Sequence, residues 1–116
     1  MVTLRKKATN AAFRAIADPT RREILGLLRI GPQTVGELAR NFRTSRPAIS
    51  KHLRLLRSAG LVTTKKDGVT HICRLNAQPL QPVSVWLRDY EVFWGESLRG
   101  LKNYVEGTAN QKETDL

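Results

Sequence analysis

Cysteine is nearly absent from this chain. Cys73 stands alone among 116 residues, so no internal disulfide can close and no multi-cysteine metal framework can be built. No apolar run approaches the roughly 20 residues that a membrane-spanning helix needs. Nothing assembles for catalysis either: there is no nucleophile beside a base, no glycine-rich phosphate loop and no paired carboxylates in one cleft, so the chain is not expected to be an enzyme. Acids are the most informative shortage. They number ten against twenty Lys and Arg, most of them lie from Asp89 onward, and none falls between Glu37 and Asp67. That interval instead carries Arg40, Arg43, Arg46, Lys51, Arg54, Arg57, Lys65 and Lys66.

A net charge of +10 and a sequence pI near 10.7 predict a polyanionic partner, and the clustering of the surplus on one segment points to nucleic acid. With 41% hydrophobic residues the chain can build one core, and it is too short for two ordinary domains. Met1 to Lys7 is basic but no apolar stretch follows it, so no secretory signal is expected and the protein is assigned to the cytoplasm. Residues 1–9 are expected as a basic tail, 10–107 as the folded domain and 108–116 as a disordered tail.

Phe13, Ile16 and Ala12 recur at helical spacing in a short amphipathic helix over Asn10 to Ala17. Asp18 can cap the next helix and Pro19 can open it; Ile24, Leu25, Leu27 and Leu28 form its buried stripe, and Gly31-Pro32 ends it. Thr34 and Glu37 make a capping box for a helix of about two turns with Val35, Leu38, Ala39 and Phe42 inside. After a break at Arg43-Thr44, Ser45 caps a helix that holds Pro47 in its first turn, runs to Ala59 and ends at a left-handed Gly60. Two helices so joined match a helix-turn-helix.

On that second helix Ile49, Leu53 and Leu56 share the inner side, while Pro47, Ser50, Lys51, Arg54 and Ser58 share the outer one, with Arg46 and Arg57 near its edges. Such a rod presents hydroxyl, ammonium and guanidinium groups to a DNA major groove. Ser45 is first a cap and only secondarily a phosphate ligand. His52 falls at the boundary, where core packing and a phosphate contact are balanced. Leu61 to Leu75 shifts to strand periodicity around Asp67-Gly68, read as the centre of a type I′ turn that sets Lys65 opposite Thr70 and Val62 opposite Cys73. Lys65, Lys66 and Thr70 then lie on a basic wing, and Cys73 reads as a small buried hydrophobe.

Within about residues 80 to 106, a helical beat from Val83 to Val105 that includes Trp86, Tyr90, Phe93, Trp94, Leu98 and Leu101 predicts one helix about 35 Å long. Its apolar width exceeds what a small winged domain can cover, and the surplus suggests a second copy of the chain.

The blocks Phe13 to Arg22 (FRAIADPTRR), Val35 to Ala39 (VGELA), Ser45 to Leu53 (SRPAISKHL) and Ala59 to Val62 (AGLV) together resemble the ArsR family of bacterial winged helix-turn-helix regulators, over about residues 10 to 106. The resemblance implies a mainly α fold with a small β-hairpin and a homodimer formed through the N- and C-terminal helices. Phe13, Trp86, Tyr90, Phe93, Trp94, Leu98 and Leu101 would lie at its interface. It also implies repression from a palindromic double-stranded DNA operator, with Ser45, Arg46, Pro47, Ser50, Lys51, His52, Arg54, Arg57, Lys65, Lys66 and Thr70 as DNA-binding residues. Metal-sensing members carry a cysteine pair where this chain has Thr34 and Gly36, and others use C-terminal histidines, whereas His71 is the last here. A member without a metal or cofactor is expected, with a small-molecule effector left open. The alternative from another class is a non-specific winged-helix protein that packages DNA or binds RNA.

Overall fold

A computed structural model describes residues 2–94, with side-chain surroundings from Lys6 onward. The elements run α1 (Val2–Ala15), α2 (Pro19–Ile30), β1 (Gln33–Thr34), α3 (Val35–Ala39), α4 (Arg46–Ser58), β2 (Val62–Asp67), β3 (Thr70–Leu75), a 3-10 turn at Gln78–Leu80, and α5 (Gln81–Arg88). Contacts gather residues up to Val83 into one unit and those from Ser84 on into another.

Most of the first unit's core lies where the amphipathic stripes converge. Ile24, Leu25 and Leu28 from α2, Leu38 from α3, and Ile49, Leu53 and Leu56 from α4 close around Leu61, Val62 and Cys73. Local chemistry fixes each helix end. Asp18 accepts the Arg21 amide at 3.1 Å, and Thr34 and Glu37 complete the reciprocal capping box, with Glu37 Oε1 accepting the Thr34 amide at 2.8 Å. At the end of α4, Leu61 N–H donates to Leu56 O and Gly60 N–H to Arg57 O, both at 2.9 Å. This paired closure needs a left-handed residue, supplied by Gly60 at φ 78°, and it brings buried Leu56 and Leu61 together at the helix end.

The helix over Asn10 to Ala17 is longer than expected. It begins at Val2 and takes in most of the supposed basic tail, because that stretch holds neither glycine nor proline to stop it. Arg21 and Arg22 take the carbonyls that α1 leaves open at its other end: Arg21 donates to Ala15 O at 2.8 Å and Arg14 O at 3.0 Å, and Arg22 to Ile16 O at 2.8 Å. Cations there also complement the negative end of the helix dipole. The helix α3 is shorter than two turns, since the Asn41 side chain takes the Glu37 and Leu38 carbonyls at 3.1 and 3.4 Å.

The hairpin register is corrected by two residues. Asp67 pairs with Thr70, Lys65 with Ile72, Thr64 with Cys73 and Val62 with Leu75. Gly68 and Val69 are therefore the turn, and only Gly68 has positive φ, at 67°. A type I′ turn would force Asp67 into the left-handed region; glycine at the first central position, as in type II′, avoids that. An even shift keeps every side chain on its expected face, so Cys73 is still buried. A two-residue strand, β1, adds to β3 through Gln33↔Cys73 and Thr34↔Ile72, giving the sheet order β1-β3-β2.

The C-terminal helix is not one unbroken rod. The segment α5 ends at Arg88, where the Asp89 and Tyr90 amides turn to acceptors three residues back, Trp86 O and Leu87 O. That tightening closes the helix, and helical residues resume at Glu91–Trp94. Leu98, Leu101 and the tail 108–116 lie outside the described residues.

Two carboxyls tie the caps to pH. The Arg21 amide, aided by the His52 and Arg21 side chains, holds Asp18 below its ordinary value of 3.8; the Thr34 amide and hydroxyl do the same for Glu37. A lowered folded value means that stability is fully present above the unfolded value and lost as pH falls through the folded one. Asp18→Ala should therefore cost about 1 kcal/mol near neutrality. Its melting temperature should converge on that of the unsubstituted protein as the pH drops below 3.8.

Candidate nucleic-acid interface

The outward side of α4 follows from what its inward side buries. Ile49, Leu53 and Leu56 are 2% exposed or less, and rotation of about 100° per residue then turns Arg46, Pro47, Lys51, Arg54 and Arg57 to solvent, with Ser50 half-buried. Ser45 accepts the Ala48 amide at 3.2 Å and is engaged as the cap. Lys65, Lys66 and Thr70 are exposed on the hairpin. The Thr70 hydroxyl donates to Asp67 O at 2.8 Å, which stitches the turn.

Three contacts fix this surface. Arg57 donates to Thr64 Oγ1 at 3.4 Å, tying the end of α4 to β2. The Arg46 guanidinium lies over Gly36, with Nη2 3.5 Å from where a Cβ on that glycine would stand. Thr34 is engaged in the capping box and Gly36 lies beneath an arginine. His52 is turned toward α2: its Nδ1 is 3.3 Å from Arg21 Nη1 and 3.9 Å from Asp18 Oδ2. Both contacts come from one ring nitrogen, which sets His52 between a cation and a carboxylate of α2. His52 is thereby a brace between α2 and α4 as well as a neighbour of the outward side.

Sequence reasoning missed Arg21, which joins its own helix α2 to both α1 and α4. Its only sequence signal is the place of Asp18-Pro19-Thr20-Arg21-Arg22 between two helices, where cations can meet the end of the first.

Burial pushes the Cys73 thiol up, only partly offset by its hydrogen bond with Thr64 and by the nearby Arg57 charge. Little thiolate is then present at neutral pH. A thiol reagent should label native Cys73 at least about tenfold more slowly than the urea-unfolded chain, timed by absorbance; equal rates would contradict the burial.

In the second unit Trp86, Tyr90, Phe93 and Trp94 are all exposed. The Trp86 and Tyr90 rings sit 5.0 Å apart, tilted by 53°. No helix among the described residues is long and apolar enough to cross a membrane.

Comparison with known proteins agrees with this geometry. Residues 18–64 match the model of the bacterial regulatory protein, arsR family. The chain is 36% identical to the HTH-type transcriptional regulator Rv2034 of Mycobacterium tuberculosis, over 86% of its own length and 91% of the relative's. It is 40% identical to the transcriptional repressor SdpR of Bacillus subtilis, over 70% of its length and 90% of the repressor's. Among solved structures, the ArsR family transcriptional regulator RHA00566 superposes with a TM-score of 0.70 at 38% identity, covering 78% of this chain and 93% of that one.

Proposed function

Because the chain belongs to the ArsR family of bacterial regulatory proteins and is a DNA-binding transcriptional regulator, we propose that it works as a homodimeric repressor on a two-fold symmetric operator. One observation carries this reading: Arg46, Lys51 and Arg54 stand exposed on a helix whose opposite side is buried, within a segment that has no acid from Leu38 to Lys66. Arg46, Ser50, Lys51 and Arg54 are assigned to the major groove, where arginine and lysine suit guanine edges. Pro47 lies against the groove wall at the helix start, Ser45 and His52 lie nearer the backbone, and Arg57, Lys65, Lys66 and Thr70 serve phosphates.

Two copies would set their α4 helices in successive major grooves, about 34 Å or a multiple of that apart. The exposed Tyr90, Phe93 and Trp94 support pairing of copies, because exposed apolar patches mark interaction surfaces, and Trp86 is assigned beside them. Phe13 on α1 and Leu98 and Leu101 are assigned to the same interface. Trp94→Glu should shift the protein from dimer to monomer in sedimentation velocity; an unchanged dimer would remove Trp94 from the interface.

Selection of bound fragments from the source genome, sequenced and footprinted, tests the reading as a whole. A protected tract with dyad symmetry is expected. Uniform recovery of fragments would favour non-specific packaging instead.

A further inference from the structure

Where α1, α2 and α4 meet, an open and mostly apolar pocket of about 190 Å³ is lined by Ala11, Ala15, Leu55 and Ala59 together with Arg14, Arg21 and Ser58. A cavity of about 150 Å³ holds a benzene ring, so this one has room for a ring and one small substituent. The charge around it is one-sided. Arg21 commits N–H groups to Ala15 O, Arg14 O and His52 Nδ1 and has others to spare. The Arg14 guanidinium makes no hydrogen bond to any described residue. A mostly apolar hollow lined in part by Arg14, whose guanidinium has no acceptor among the described residues, is complementary to an anion with a hydrocarbon body.

We infer that this pocket binds a small apolar monocarboxylate of about benzoate size, with its carboxylate on Arg14 and its hydrocarbon part against Leu55 and the alanines. A carboxylate here also draws on Arg21, which is the link between the pocket and the DNA-reading helix. The same guanidinium that closes α1 reaches His52 on α4 at 3.3 Å. A carboxylate that draws the Arg21 guanidinium toward the pocket lengthens its contact with His52, loosens the brace that holds α4 to α2 and lowers operator affinity. This second step rests on the DNA-binding reading above; the first does not.

The test uses the full chain and benzoate. In a titration followed by amide NMR, the Leu55 and Ser58 resonances should shift saturably. Arg14→Gln, at an exposed position whose main-chain carbonyl is the bonded group, should weaken benzoate by about tenfold, and neutral benzyl alcohol should bind the unsubstituted chain no better than that variant binds benzoate. Saturating benzoate should then weaken operator binding by about threefold or more in fluorescence anisotropy. Absence of a saturable shift overturns the pocket assignment, as does equal binding of benzoate by Arg14→Gln. Saturable binding with unchanged operator affinity overturns the coupling. Because the NMR titration contains no DNA, a chain that failed to bind any operator would refute the functional reading while the pocket still stood or fell on its own shifts.

Discussion

Replacing Leu56 with alanine is expected to destabilise the protein by about 2–5 kcal/mol. Leu56 is fully buried. It sits in the cluster of buried residues to which α2, α3, α4 and the sheet all contribute, so its truncation leaves a space inside that core. Its carbonyl also accepts the Leu61 amide that closes α4, so relaxation around the cavity is opposed by the helix end. A domain of this size has a total stability of only about 5–15 kcal/mol, and a substantial share of it would go. Leu55, its neighbour in sequence but 46% exposed, provides the contrast: Leu55→Ala should cost under about 1 kcal/mol. Urea denaturation of the two variants side by side checks the orientation of α4, and similar losses would contradict it.

Arg54→Ala should reduce the preference for operator over random duplex by about 1–3 kcal/mol, or roughly 5- to 150-fold. Arg54 lies on the outward side of α4, one position past fully packed Leu53, and its side chain makes no hydrogen bond among the described residues. Its guanidinium is therefore available for a base edge, where the two-pronged match to guanine carries sequence information. Lys66 differs in kind. It lies on the exposed wing strand opposite His71, suited to a phosphate, and Lys66→Ala should weaken operator and random DNA alike while lowering the salt slope by about one unit. If Arg54→Ala weakened all sequences equally, base reading by this residue would be wrong.

Much of this arrangement was legible in the sequence because the helix ends announce themselves locally. Asp18, Thr34, Ser45 and Gly60 each perform the expected cap, and each depends on a few neighbouring residues alone. The division of α4 into buried and outward sides follows from helix periodicity in the same way. Features that failed to show depend on distant partners or on near-equal alternatives. The turn could close on Asp67-Gly68 or Gly68-Val69, and packing of the strands chose the second without altering either face. The strand β1 is two residues long and exists only because β3 lies beside it. Arg21 meets α1 through acceptors six and seven positions back and α4 through His52, thirty-one positions on. Beyond the place of Arg21 between two helices, local pattern holds no trace of such a junction. The interruption of α5 after Arg88 likewise breaks no rule that the sequence displays, since neither glycine nor proline marks it.

Sequence-specific reading of duplex DNA by the outward side of α4 is most directly tested by competition titration at one fixed salt concentration. A selected operator fragment and a random duplex of equal length would compete for the unsubstituted protein. Preference for the operator by about a thousandfold or more is expected; a ratio near one would contradict it.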